Sequence, residues 1–331
     1  MNYVIIGNSA SAIAAIEAIR EYDKKNRIKV ISDEPHSNYS RPLMSYLLGK
    51  KVDVDRMLYR GKDFYKDNKV ELFLNKKAAK LEPKEKWVIL SDGQKICFDK
   101  LLIATGGRPI IPELKGLDLD GVFTFIKLSD AQKIQAYIKA NRVREAIVMG
   151  GGLIGLKTTE ALIELKIKVT IVELADRILS ATFDQISSRL IERGLEKIGC
   201  RLFTDNTVAE IRSKNKKVNE VILKDRKKVP GGLVIVAIGV RPNIKLVRNT
   251  PIKTNKGILV DSFMQTSVKD IYAAGDCCEA KDLLLNVNRP LAIWLVAVKQ
   301  GRIAGYNMAG VKKEYPGSFA MNSVELCGIP T

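Results

Sequence analysis

"IVMGGGLIGLKTTEAL", residues 147 to 162, decides how this chain is read. Ile147, Val148 and Met149 end an apolar strand, the glycines turn the chain, and the small and apolar residues that follow recur at helical spacing. Gly150, Gly152 and Gly155 form a G-x-G-x-x-G pattern, and the next apolar strand closes at Glu173, 18 residues beyond Gly155. Such glycines let a backbone approach a pyrophosphate closely, and a carboxylate at the end of the second strand can accept ribose hydroxyls. The pattern alone is weak, but strands on both sides and a terminal glutamate make it a specific sign of a dinucleotide site.

The same plan stands at the N-terminus. "YVIIG" (3–7) is a strand ending in glycine, "SAIAAIEAI" (11–19) has helical periodicity, and "RIKVISDE" (27–34) is a second strand ending in Asp33 and Glu34. The repeat extends to "LLIATGGRP" (101–109) and "LVIVAIGVRPN" (233–243), each read as a buried strand ending in Gly-x-Arg-Pro. Before each lies a stretch that reads as antiparallel strands, "AKLEPKEKWVILSDGQKICFDK" with its Ser-Asp-Gly turn and "AEIRSKNKKVNEVILKDRKKVPGG". A third signal follows in "DIYAAGDCCEA", where a strand over 270–274 leads into Gly275 and Asp276, and "RPLAIWLVAVKQGRIAGYNMAG" reads as an apolar-faced helix.

Two α/β units with three layers each suit a chain of 331 residues and 46% hydrophobic content. Apolar runs such as "LAIWLVAV" fall far short of the roughly 20 residues that a membrane helix needs. "MNYVIIG" enters a strand at once with no basic leader, so a cytoplasmic location without membrane contact is expected. Five cysteines without metal-ligand spacing and a single histidine, His36, argue against a metal site and a Ser-His-Asp triad; buried reduced thiols are expected. The formal charge of +18 is spread along the chain, so no nucleic-acid partner is expected from it.

Taken in order, these motifs resemble the FAD-dependent pyridine nucleotide oxidoreductases, in particular the group of rubredoxin reductases, ferredoxin reductases, NADH oxidases and the flavin part of nitrite reductase. "NYSRPLMSYLLG" (38–49) and the Trp294 helix belong to the likeness, which covers nearly the whole chain. It implies an FAD-binding domain over 1–109 plus 243–310, an NAD(P)H-binding domain over 110–242, and the beginning of a small α+β interface domain at 311–331, with a homodimer where that domain is whole. Residues carried over to FAD are Gly7, Ser9, Ala10, Ala12, Asp33, Glu34, Arg41, Pro42, Ala79, Ala104, Thr105, Gly106, Gly275, Asp276 and Trp294. Those for the nicotinamide nucleotide are Gly150, Gly152, Leu153, Ile154, Gly155, Glu173 and Gly239.

The likeness implies an enzyme that passes hydride from NADH to FAD and electrons on to an outside acceptor, expected to be a small acidic iron protein of the rubredoxin or ferredoxin type. An NADH oxidase using O2, or a redox sensor or scaffold, are the alternatives. Glu173 favours NADH over NADPH, with Arg177 nearby. The flavin-facing stretch at 37–49 has no cysteine, and Cys277 and Cys278 are read as packing residues. Two positions depart from the pattern. Ser9 stands where a second glycine is usual, and Lys157 stands where many relatives carry a glutamate facing the flavin. An ammonium about 5 Å from reduced flavin would attract it by about 3 kcal/mol at an effective dielectric of 20, so Lys157 is a candidate for redox tuning; a lysine snorkelling to solvent is the plainer alternative.

Overall fold

The computed structural model describes residues 1–331. It divides into two compact units: Met1–Ser40 with Leu58–Arg108 and Arg241–Asn322, and Arg41–Met57 with Pro109–Val240 and Ser323–Thr331.

In the first unit a parallel sheet carries its strands in the spatial order Ile271–Ala273, Lys100–Ile103, Asn2–Ile6, Arg27–Ile31, Val70–Phe73. The central strands are apolar throughout because both faces are covered, and Val4, Ile5, Leu101 and Leu102 are fully buried. The helices Ala10–Tyr22 and Trp294–Met308 pack together at small residues. A Cβ added at Gly301 would stand 2.1 Å from the Ser11 carbonyl oxygen, and one at Gly305 would stand 2.6 Å from that of Ala15. The antiparallel sheet Ala78–Glu82, Trp87–Leu90, Lys95–Cys97 places Leu81, Val88, Leu90 and Ile96 in the same core. Its Ser91-Asp92-Gly93 turn closes with the Gly93 N–H donating to the Leu90 carbonyl.

The second unit repeats the plan. Its parallel sheet runs Arg201–Phe203, Lys168–Val172, Glu145–Met149, Leu233–Val236, Val122–Thr124, and its antiparallel sheet is Val208–Lys214, Lys217–Leu223, Lys228–Pro230. The registers agree as well. Ile6 pairs with Ile31 and Ile103, and Met149 pairs with Val172 and Val236. The duplication in sequence is therefore a duplication of the α/β fold.

Two chain segments cluster differently from the expected boundaries. Residues Arg41–Met57 belong to the second unit, held by the Gln135 amide donating to the Leu47 carbonyl at 2.7 Å and by a Lys51–Glu164 ion pair at 2.9 Å. The expected interface segment splits. Ser318 exchanges backbone hydrogen bonds with Lys281 and Leu283 in the first unit, whereas Glu325–Leu326 and Ile329–Pro330 form a hairpin in the second. The last helix also starts later than its apolar pattern suggests, at Trp294, because Val287–Arg289 is a strand paired with Cys278–Asp282 and Pro290 follows it. Gly301→Val is expected to destabilise the chain by about 3 kcal/mol, since nothing but backbone faces the new side chain; urea unfolding measures it.

Candidate functional site

Each glycine turn sits on the tips of three parallel strands. At the first, Gly7 has a φ of 116°, and a Cβ there would stand 2.1 Å from the Ala104 carbonyl oxygen. At the second, Gly150 has a φ of 108°, with the Ala237 carbonyl 2.5 Å from its would-be Cβ, and a Cβ at Gly155 would meet the Gly150 carbonyl at 2.0 Å. Only glycine fits these positions, by conformation and space at Gly7 and Gly150 and by space at Gly155. Gly152 differs, because a Cβ there would meet nothing within 4 Å. No protein neighbour fills the space above that position, which leaves room for a ligand's phosphates beside the backbone.

The helix ends sort into two kinds. The N-terminus of helix Gln185–Lys197 is satisfied by Asp184, which accepts from the Ser187 N–H at 2.8 Å. Ahead of helix Leu128–Asn141, the Asp130 carboxylate accepts from the Ile126 and Lys127 N–H groups at 2.9 and 3.0 Å. By contrast Ala10–Tyr22, Leu153–Glu164 and Trp294–Met308 have no side-chain cap and no acidic residue in the first turn. Their N-caps are Ser9, Gly152 and Ile293. An uncapped helix end carries N–H groups and a positive partial charge suited to an oxyanion. These ends follow the first glycine turn, the second glycine turn and the strand Val287–Arg289, so the residues present fit two dinucleotides.

The carboxylates complete the second site more fully than the first. Glu173 follows its strand directly and is fixed on both oxygens, by the Gly151 N–H and by the Ala175 N–H at 2.8 Å. Each oxygen keeps a lone pair for a hydroxyl. Gly150, Gly152, Leu153, Ile154, Gly155, Glu173 and Gly239 all lie in this unit, and Arg177 pairs with Asp176 at 2.8 Å. In the first unit the register equivalent of Glu173 is Ser32, because Ile31 there takes the place of Val172. Asp33 comes next and is exposed. Glu34 is buried and accepts from the Tyr39 hydroxyl at 2.8 Å, so Asp33 is the outward-facing member of the pair.

Among the remaining first-unit residues, Ala104 to Gly106 and Gly275 follow strands of the parallel sheet. Ala104 donates to the Ile6 carbonyl, and the Thr105 hydroxyl donates to the Asn243 carbonyl at 2.7 Å. Gly106 and Gly275 have φ of 65° and 83°. Ala79 is exposed at a register shift between Ala78 and Lys80. Trp294 meets Tyr59 edge to face, with ring centroids 5.0 Å apart. Arg41 and Pro42 lie in the second unit, where the Arg41 guanidinium donates to the Ile126 carbonyl at 2.6 Å.

Two positioning residues escaped the sequence reading. Gly151 supplies the N–H that holds Glu173, and a Cβ there would stand 2.9 Å from Ile178. Gln300, 1% exposed, accepts from the Gly275 N–H at 2.8 Å and so ties the Gly275–Asp276 turn to the Trp294 helix. Its only mark in the sequence is a polar residue on a small-residue helix face.

The cysteines differ from the expectation that all are buried, since Cys97 is exposed and Cys327 half-buried. Cys277 and Cys278 are fully buried. Burial pushes the Cys277 thiol up to about 11 and raises Cys278 well above its ordinary value. Neither is a thiolate near neutral pH, and the thiolate is the nucleophile. Lys157 also has protein partners. Its ammonium pairs with Glu160 at 2.5 Å, donates to the Glu325 carbonyl at 3.1 Å and lies 5.4 Å from the Tyr46 ring centre. Glu160 in turn accepts from the Cys327 N–H. Lys157 and Glu160 thus latch the C-terminal hairpin onto the nucleotide-turn helix.

A fold of two duplicated α/β units, each with a glycine turn under an open helix end, is the architecture shared with FAD-dependent reductases of known structure. The chain belongs to the pyridine nucleotide-disulphide oxidoreductase family, whose profile matches residues 1–301. That family uses FAD and NADH. The chain is 30% identical over 328 residues to a nitrite reductase [NAD(P)H] of Bacillus subtilis, covering 98% of this chain and 40% of the relative. It is 32% identical over 325 residues to an NADH oxidase of Methanocaldococcus jannaschii, covering 96% and 72%. The solved structure of an NAD-dependent persulfide reductase from A. fulgidus matches with a TM-score of 0.93 at 30% identity, over 98% of this chain and 62% of that one. Other relatives are named as rubredoxin and ferredoxin reductases. The chain spans about two fifths of the length of the nitrite reductase.

Three outcomes follow from this geometry. Gln300→Leu, which leaves the Gly275 N–H buried without an acceptor, is expected to weaken FAD binding at least about tenfold, as measured by flavin fluorescence. Lys157→Met is expected to speed hydrogen exchange at residues 324–331. The raised thiol pKa values mean that the folded chain keeps protons which the unfolded chain releases. The stability they contribute is therefore complete below pH 9.0 and is lost as pH rises through about 11, which denaturation midpoints against pH will follow.

Proposed function

We propose that this protein is an NADH-dependent flavin oxidoreductase that hands electrons to a small acidic iron protein. The observation that carries the reading is that, of the five helices of 12 or more residues, three have open N-termini, two of them on glycine turns, while the other two are closed by carboxylates of the chain. FAD, when bound, supplies hydride acceptance and one-electron release. The chain's own residues bind and align. The turn at Gly7 and Ser9, with the helix end at Ala10 to Ala12, would hold the FAD pyrophosphate, with Asp33 on its ribose, and Asp276, held by its Gly275 neighbour's bond to Gln300, a ribityl hydroxyl. The Trp294 helix end would face the pyrimidine edge, where negative charge grows on reduction. Gly150 to Gly155 would hold the NADH pyrophosphate, and the doubly anchored Glu173 would accept its ribose hydroxyls and repel a 2′-phosphate.

The acceptor is argued from chemistry. Cys277 and Cys278 are protonated and buried, so no thiol relay operates in this neighbourhood and electrons leave the flavin directly. A formal charge of +18 would steer an acidic carrier to the surface. Steady-state oxidation of NADH with added rubredoxin or ferredoxin is expected to be fast and to slow as ionic strength rises. A rate insensitive to salt, or turnover with O2 alone, would overturn the acidic-carrier reading.

A further inference from the structure

Arg108 and Arg241 occupy the same place in the two Gly-x-Arg-Pro repeats, and their strands, Gly107–Pro109 and Val240–Pro242, pair side by side in a two-stranded ribbon. Arg248 follows the short turn Lys245–Val247. All three arginines belong to the first unit. The structure gives none of them a carboxylate or a hydrogen-bond acceptor, whereas Arg60, Arg177, Arg212, Arg289 and Arg302 each hold a carboxylate. The Nε of Arg108 is out of reach of solvent and has no partner. Burial, together with the like charges of Arg241 and Arg248, holds the Arg108 guanidinium below the usual arginine range.

Three guanidiniums gathered without a counter-charge, one with a desolvated donor, repel one another and leave a buried N–H unmade. A tetrahedral oxyanion with at least two negative charges answers both faults. It offers enough oxygens for forked donors, and one carboxylate would not balance three cations. We propose that Arg108, Arg241 and Arg248 form a binding site for the phosphate or pyrophosphate group of a small molecule, separate from the two glycine turns. The ligand class is a phosphate ester carrying a terminal or doubly charged phosphoryl group. This inference stands apart from the proposed electron-transfer role, since neither glycine turn contributes to it.

The test is calorimetric titration of the FAD-loaded full chain with inorganic pyrophosphate, repeated with saturating NADH. Saturable binding that is unchanged by NADH, and at least about tenfold weaker in both Arg108→Gln and Arg248→Gln, is the expected result. Both variants should be no less stable than wild type, and flavin content should be unaltered, because the substitutions relieve repulsion. Binding equal in variants and wild type, or no saturable binding, would overturn the proposal. So would loss of pyrophosphate binding on adding NADH or release of FAD by pyrophosphate, since each would mean that the cluster serves one of the two dinucleotides.

Discussion

The structure depends on one close approach, made twice. A backbone carbonyl at the tip of a parallel strand, that of Ala104 in one unit and Ala237 in the other, stands where the β-carbon of any residue but glycine would lie. That contact lets the glycine N–H reach the neighbouring strand, from Gly7 to Ile31 and from Gly150 to Val172. The following helix then starts over the strand ends with its dipole aimed outward. The proposed pyrophosphate sites rest on the fixed direction of those two helices.

Satisfaction of polar groups decides what each helix end can do. Where an aspartate closes the end, as Asp184 does, no oxyanion is called for. Where the residue is Ser9, Gly152 or Ile293, no side chain caps the N–H groups, and the proposed ligands would. The same logic separates Glu173, tethered by two N–H groups yet open to hydroxyls, from Glu34, whose carboxylate is buried on Tyr39. It also explains Lys157, which with Glu160 satisfies the backbone of the C-terminal hairpin. Coulomb attraction and desolvation thus set apart acids and bases that look alike in sequence, leaving some open and closing others on the protein itself.

Much of this was legible in the residues themselves. Strand, glycine turn and helix can be read from period and from Gly150, Gly152 and Gly155, because these constraints are local. The duplication was legible because each half must solve the same packing problem. What escaped depends on contacts distant in sequence. The segment Arg41–Met57 is assigned by Gln135 reaching the Leu47 carbonyl, which no local pattern shows. Gln300 acts through Gly275 and Cys278, 25 and 22 residues away. Exposure of Cys97 depends on its place in a three-residue strand whose neighbours Lys95 and Cys97 face out while Ile96 faces the core. The Gly-x-Arg-Pro repeat was visible, but the pairing that gathers its arginines was not.

The most direct test of two cooperating dinucleotide sites is the visible spectrum of the purified protein while NADH is added without oxygen. A yellow flavin band that bleaches within seconds, with one NADH consumed per flavin, is the expected result. A flavin that NADH leaves oxidised, or a protein that neither retains nor takes up FAD, would contradict the reading of the open helix ends and return this chain to the class of duplicated α/β folds without redox turnover.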